Sequence, residues 1–218
     1  MNHTISIAKD EVASMPVVEY PGGINAITVI DTPAKAKMAL RMLNKYTHIG
    51  FDTETKPSFQ RGAPANKVAL LQLSTGDHCF LFRLNRESIF DMVKPLLENP
   101  DIIKIGLSVH DDVNALRRRG EIMPRGFIDL QDYSHTFLIG DMSLQKVYAI
   151  IFGERISKTQ RLSNWEAPTL NDAQQIYAAI DAWACLKIYR YLRGGYFRPL
   201  ESPYLHVEQE DPKAQTQQ

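Results

Sequence analysis

Cysteine is nearly absent from this 218-residue sequence: Cys79 and Cys185 are the only two, and both lie in apolar stretches. Two thiols exclude a disulfide framework and a cysteine-rich zinc cluster, which leaves buried structural thiols in a reducing compartment as the expectation. Net charge is also absent, with 25 Lys+Arg against 25 Asp+Glu. The balance removes any global pull toward a polyanion, so such a partner would have to be held by a local patch or a bound metal. No apolar run reaches the roughly 18 residues of a membrane span. The opening "MNHTISIAKDEVASMP" has no apolar signal-peptide core. These absences predict an intracellular chain, cytoplasmic if bacterial, with no membrane partner. No internal repeat is visible.

What is present is a hydrophobic content of 44%, enough to bury a full core, in a length that suits one domain. The organisation read from the chain is an N-terminal extension over 1–22, a main domain over 23–197 and a polar C-terminal tail over 198–218 whose Gln-rich end is expected to be disordered. "DTPAKAKMALRMLNKY" opens a helix, with Asp31 or Thr32 as cap and Pro33 in the first turn. "HIGFDTE" reads as a strand. "KVALLQLST" and "HCFLFRL" are two more strands, joined by hairpin chemistry at "TGD". "SIFDMVKPLLENP" is helical, "DIIKIGL" a buried strand, "HDDVNALRRRG" a helix closed by Gly120, and "GFIDL" a short strand. From Gln131 to about Tyr196 the pattern is mostly helical. A hairpin followed by strand–helix crossovers predicts an α/β fold with a mixed five-stranded sheet flanked by helices, its active site at the carboxyl ends of strands.

Acidic residues fall at three places in that frame. Asp52 and Glu54, at i and i+2 near a strand end, face one way together, and like charges that close repel unless a cation lies between them. Taken alone, the pair also suits a solvated strand end. Asp111 and Asp112 sit in the first turn of a helix, where the macrodipole favours an acid. Asp181 lies inside the apolar helical run "IYAAIDAWACLKIYRYL", with Tyr177 on the same face at i−4. An acid in such surroundings needs a partner, which a backbone donor at a helix edge would also supply. If all these carboxylates converge, only divalent cations offset the repulsion. Oxygen ligands without a Cys or His cluster point to Mg²⁺ or Mn²⁺, two ions per site, in a phosphoryl-transfer device.

The segments "FDTE", "SVHDDVNAL" and "YAAIDA", in this order, resemble the three exonuclease motifs of the DEDD (DnaQ-like) superfamily, and most closely those of the ribonuclease D and Werner-type 3′–5′ exonucleases. "RGAPANKVALLQLSTGDHCFLFRL" and "RLSNWEAPTLNDAQQIYAAIDAWACLKIYRYL" extend the resemblance between motifs, over about Gly23 to Tyr196. It implies a ribonuclease H-like fold and metal-dependent removal of nucleoside monophosphates from a nucleic acid with a free 3′ end. It assigns Asp52, Glu54, Asp112 and Asp181 as metal ligands, choosing Asp112 over Asp111 by the six-residue step from Gly106 and the leucine four residues on. It makes Tyr177 the residue that orients the attacking water. The sister subfamily has histidine where this chain has Ile176, so the tyrosine subtype is expected. No segment resembles a fused helicase or the helical nucleic-acid-binding domains of ribonuclease D, and the expectation is a freestanding catalytic domain. The Werner-type likeness favours DNA over RNA. The alternatives are an exoribonuclease of the ribonuclease D type, a nuclease-dead nucleic-acid-binding module, and an adaptor acting through the tail.

Strand binding falls to local features. Arg155, Lys158 and Arg161 in "ERISKTQRLSNW" read as a basic loop for phosphate contacts. Arg117 to Arg119 are a second basic cluster, equally suited to a helix C-terminus. Thr53 and Phe59, beside the first motif, and Trp165 are candidate nucleic-acid contacts; Trp165 suits stacking on a base or packing between helices. Gln72 has no assigned role.

Overall fold

Alternation along one strand organises the molecule. The computed structural model describes residues 2–58, 66–86 and 88–208. Strand β3 (His48–Thr55) follows two short N-terminal elements, β1 (Asn2–Ile5) and α1 (Lys9–Ser14), then β2 (Ile27–Ile30) and α2 (Pro33–Leu43). After it come β4 (Val68–Ser74), β5 (Cys79–Arg83), α3 (Ile89–Glu98), β6 (Ile103–Gly106), α4 (Val109–Arg117), β7 (Phe127–Asp129), α5 (Leu130–His135), α6 (Leu144–Phe152), α7 (Asp172–Arg193) and β8 (Leu205–Glu208). The main sheet has the order β2-β5-β4-β3-β6-β7, with β4 antiparallel to both neighbours and the remaining pairs parallel.

In β3, Ile49 and Phe51 point into a core shared with α2, α3 and α4, while Gly50 and Asp52 point to the opposite face, under α7. That second face holds the other core, built from α6, α7 and the N-terminal segment. The sheet is therefore covered on both sides, and β4 and β5 are buried at every position, as strands packed on both faces must be.

The mixed α/β architecture matches the sequence reading, but the sheet has six strands rather than five. The added one, β2, is a four-residue edge strand parallel to β5. Its run "ITVI" is too short for periodicity to distinguish it from a loop leading into α2. Thr32, not Asp31, caps α2, accepting from the Lys35 amide; Asp31 instead pairs with the Lys35 ammonium at 2.8 Å. Helix α4 ends at Arg117, short of the expected stop at Gly120. Between α6 and α7, residues 153–171 form a long non-helical connection inside the stretch read as helical. The two ends of the chain, read as an extension and a polar tail, pair with each other: β1 and β8 form an antiparallel two-stranded sheet. Residues 209–218, the expected disordered end, lie outside the described residues. Among the described residues no helix is long and apolar enough to cross a membrane.

Two buried cations are used structurally. Lys104, fully buried in β6, donates to the carbonyls of Leu96, Asn99 and Ile102, and burial lowers its pKa to about 8. It closes the C-terminal end of α3, where carbonyls lack helical partners. Arg83 on β5 donates to the carbonyl of Ala167 and so anchors the 153–171 connection to the sheet.

Helix α7 lies directly on the backbone of β3 at Gly50. A Cβ there would fall 1.9 Å from the Ala182 carbonyl oxygen. Gly50→Ala must therefore push α7 off the sheet, and a loss of about 3 kcal/mol or more is expected, as for severe overpacking. Urea denaturation checks this; a variant of wild-type stability would show that α7 does not need the close approach.

Candidate active site

The alternation that puts Gly50 under α7 also puts Asp52 and Glu54 on that face, one and two pleats further toward the carboxyl end of β3. Asp181 descends from α7 to meet them: one carboxylate oxygen from each of Asp52, Glu54 and Asp181 lies within 4.8 Å of the others. Asp112 arrives from the other side of the sheet. Its Oδ1 accepts a 2.6 Å hydrogen bond from the Thr53 hydroxyl, which points away from Asp52 and Glu54. Asp112 stands outside the three-residue cluster but close enough that its charge is the foremost one acting on Asp52. Asp111, by contrast, has an 88% exposed side chain whose partner is His110, so the structure separates the two adjacent acids that the residues alone left open.

The electrostatics are those of crowded acids. Burial, then the charges of Asp112, Asp181 and Glu54, pushes the Asp52 carboxyl well above the usual range. Burial followed by Asp181 and Asp112 raises Glu54 to about 9. Asp112 is raised to about 7 by burial, against the lowering hydrogen bond from Thr53. Asp181 is also raised to about 7 by burial, offset by the Tyr177 hydroxyl and by Lys158. Tyr177 itself is pushed far above the ordinary phenol value, by burial first and then by Asp181. Its hydroxyl therefore remains protonated at any working pH. Asp52, Tyr177 and Asp181 line a cleft of about 150 Å³ with Leu107 and Leu144, and Lys158 and Arg161 line its basic wall.

The other predicted residues divide. Lys158 and Arg161 are exposed and reach the cleft. Arg155 does not: it donates to the Met15 carbonyl and ties the connection to the N-terminal segment. Arg119 donates to the Val68 carbonyl, and Arg117 to Asn114. Trp165 is corrected as a base-stacking candidate. It is fully buried, its ring 5.9 Å from that of Tyr177, so it backs the tyrosine and presents no face to a strand. The Thr53 hydroxyl spends its one donor on Asp112. Phe59 lies outside the described residues. Both cysteines are buried and unpaired, and Cys185 lines the cleft floor.

Asp129 went unread in the sequence. At the end of β7 it caps α5 through the Gln131 amide and also accepts from the Ser108 and Val109 amides at 3.0 and 2.7 Å. It thereby pins the left-handed turn at Ser108 (φ 60°) that starts α4 and aims Asp112. The available signal was an acid at the carboxyl end of a strand, the same signal that marked Asp52.

Comparison with known proteins follows the same lines. A family model described as 3′–5′ exonuclease matches residues 27–194. The chain belongs to the 3′–5′ exonuclease family. Among curated relatives of this exonuclease domain, the bifunctional 3′–5′ exonuclease/ATP-dependent helicase WRN of Mus musculus is 31% identical over 82% of the chain, which spans 13% of that protein's length. A 3′–5′ exonuclease of Arabidopsis thaliana is 24% identical over 83% of the chain and 67% of its own length. Among solved structures, the Aedes aegypti Nibbler EXO domain superposes with a TM-score of 0.70 at 21% identity, covering 85% of this chain and 97% of that one. Escherichia coli RNase D, an exoribonuclease involved in structured RNA processing, gives 0.67 at 24% identity, over 77% and 44%. These neighbours share the fold, which is ribonuclease H-like.

The family depends on divalent metal, and the donor set suits that requirement. Partly buried carboxylates raised to about 7–9 suit a hard cation, which would offset their mutual charge. The same shifts set a pH dependence. In the unfolded chain these acids lose their protons near pH 4, whereas the folded metal-free chain keeps them to about 7 for Asp112 and Asp181 and about 9 for Glu54. Between those values the folded state binds more protons, so stability falls as pH rises. Urea unfolding in EDTA is expected to show that decline from about pH 5 to about pH 9, and added Mg²⁺ to reverse it at the alkaline end. Stability rising through this window without metal would mean that the acids are not crowded.

Proposed function

We propose that this exonuclease domain hydrolyses a nucleic acid one nucleotide at a time from a free 3′ end, releasing nucleoside monophosphates, with DNA as the favoured substrate. The observation that carries the reading is the meeting of Asp52, Glu54 and Asp181, with Asp112 alongside and Tyr177 in the same cleft, in a chain of the 3′–5′ exonuclease family. Asp52, Glu54, Asp112 and Asp181 would hold two divalent ions, Mg²⁺ or Mn²⁺, which supply the charge that lowers the pKa of a water and stabilises the leaving oxygen.

The remaining work belongs to the side chains. Tyr177, kept protonated, cannot take a proton from water at neutral pH. Its task in this reading is to hold the attacking water in line with the scissile phosphate, as in the tyrosine subtype; Ile176 stands where the sister subfamily has histidine. Trp165, buried against Tyr177, fixes the ring. Thr53 and Asp129 aim Asp112 from either side. Lys158 and Arg161 neutralise the phosphates entering the cleft. The preference for DNA rests on the likeness to the WRN exonuclease. The second reading, an exoribonuclease, is favoured by the RNase D neighbours, one of them, from Trypanosoma brucei, solved in complex with RNA U12. A nuclease-dead binding module has no use for a complete set of acids that raise one another's pKa.

Degradation of 5′-labelled single-stranded DNA, recessed duplex DNA and RNA, with Mg²⁺, with Mn²⁺ and in EDTA, tests the proposal. A stepwise ladder from the 3′ end of DNA, faster than on RNA and abolished by EDTA, is expected. Full turnover in excess EDTA, or immediate release of short 5′ products, would sink it. Asp52→Asn should lower the rate on the order of a thousandfold or more while leaving the metal-free chain at least as stable, because it removes one charge from the crowd. Tyr177→Phe keeps the ring and loses the hydrogen bond, so single-turnover rates at saturating metal should fall about ten- to a thousandfold. A wild-type rate would make Tyr177 a packing residue only.

A further inference from the structure

A second cavity, sharing no lining residue with the acid cleft, lies against the C-terminal half of α7 beside the β4–β5 turn. Its volume is about 450 Å³, within the range of small-ligand pockets. Aromatic rings make its wall. Phe152 meets Tyr191 edge-on with centroids 5.1 Å apart, and Tyr191 meets Tyr196 at 5.5 Å and 41°. Tyr196 is 69% exposed at the mouth.

Two cations line the same space. The Lys187 ammonium sits 4.1, 4.7 and 4.9 Å from the ring centroids of Phe152, Trp183 and Tyr148, and donates one hydrogen bond, of 2.6 Å, to the Tyr148 hydroxyl. Two of its three N–H groups remain. Arg190 donates to the Thr75 carbonyl, and its guanidinium lies over Gly76, where a Cβ would come within 2.4 Å of it. Neither cation has a carboxylate within salt-bridge distance among the described residues; Glu154 reaches Lys187 only through Tyr148. Asp77 is the one acid on the lining, and it is exposed. Packing of Lys187 among rings accounts for the cage. It does not account for the donors Arg190 keeps beyond its bond to Thr75, or for the open ring at the mouth. Two cations with spare donors beside a stack-ready wall match a ligand with one anionic group and one flat ring.

We propose that this cavity binds a nucleoside monophosphate unit, with the phosphate between Lys187 and Arg190 and the base against Tyr191 and Tyr196. Asp77 then stands where it can accept from a base amino group. The unit has two sources, a free mononucleotide or one nucleotide of a longer strand. The assignment does not rest on the catalytic reading, because the two sites share no residue.

Calorimetric titration of the full chain in EDTA, where hydrolysis is suppressed, tests it with deoxyadenosine monophosphate, deoxyadenosine and inorganic phosphate as probes. Saturable binding of the monophosphate, tighter than either fragment, is expected. Lys187→Met, which keeps the stem in its cage, and Arg190→Gln should each weaken it about tenfold or more. Lys158→Ala, in the acid cleft, should leave it unchanged. Should Lys187→Met not fold, Tyr196→Ala at the exposed mouth replaces it, with about a five- to tenfold loss expected. A 3′-blocked single strand distinguishes the sources. Arg190→Gln weakens strand binding as well if the unit belongs to a strand, and only mononucleotide binding if it is free. No saturable binding up to about 10 mM, or binding lost in Lys158→Ala and kept in Lys187→Met, overturns the assignment.

Discussion

The contact on which the site depends is backbone against backbone: α7 rests on β3 where Gly50 leaves no side chain beneath the Ala182 carbonyl. The helix can approach the sheet this closely at one register only. Asp181, the residue before Ala182, is carried down with it to within 4.8 Å of the carboxylates that alternation has turned up from β3. Ala178, Ala179 and Ala182, all buried and on one side of the helix, keep that face small where it meets the sheet. Packing thus forces together charges that water would keep apart. The hydrophobic cores on the two faces of the sheet offset that repulsion.

Around this contact the chain divides its labour between fixing and exposing. The four acids come from three elements, each with its own support. Asp52 and Glu54 are carried by the central strand, Asp112 is held by Thr53 while Asp129 pins the turn before it, and Asp181 is set by the long helix with Tyr177 one turn before it. Trp165 is brought to Tyr177 by a connection that Arg83 and Arg86 grip through the carbonyls of Ala167 and Pro168. Two basic residues that line the cleft, Lys158 and Arg161, sit on the same connection, on its exposed side. One anchored segment therefore supplies both the backing of the tyrosine and the exposed charges that line the cleft.

Much of this was legible beforehand, for a definite reason. Asp52 and Glu54 were readable because strand periodicity is two, and Tyr177 and Asp181 because helical neighbours are four apart; those rules act within an element and need no knowledge of its partners. The choice of Asp112 over its neighbour needed the family pattern, since both acids suit a helix N-terminus, and the structure parts them by exposure. Where the partner of a residue lies in another element, the sequence left its use open. Trp165 and Thr53 looked available because nothing local showed what covers or binds them. Arg155 and Arg119 looked like phosphate contacts because the backbone carbonyls that hold them lie 140 and 51 residues away in sequence.

The sequence alone determined most of the central strands and helices and which acids stand on the same side, because propensity, capping and periodicity are local properties of the chain. Tertiary structure decided the rest. The edge strand β2 exists because β5 is there to pair with it, and β1 and β8 form because they find each other across some two hundred residues. Asp181 joined Asp52 and Glu54 only when a helix near the end of the chain settled on a glycine in β3. That distance in sequence is invisible to any local rule, and burial and mutual charge, which give the acids their chemistry, come into being only when it closes.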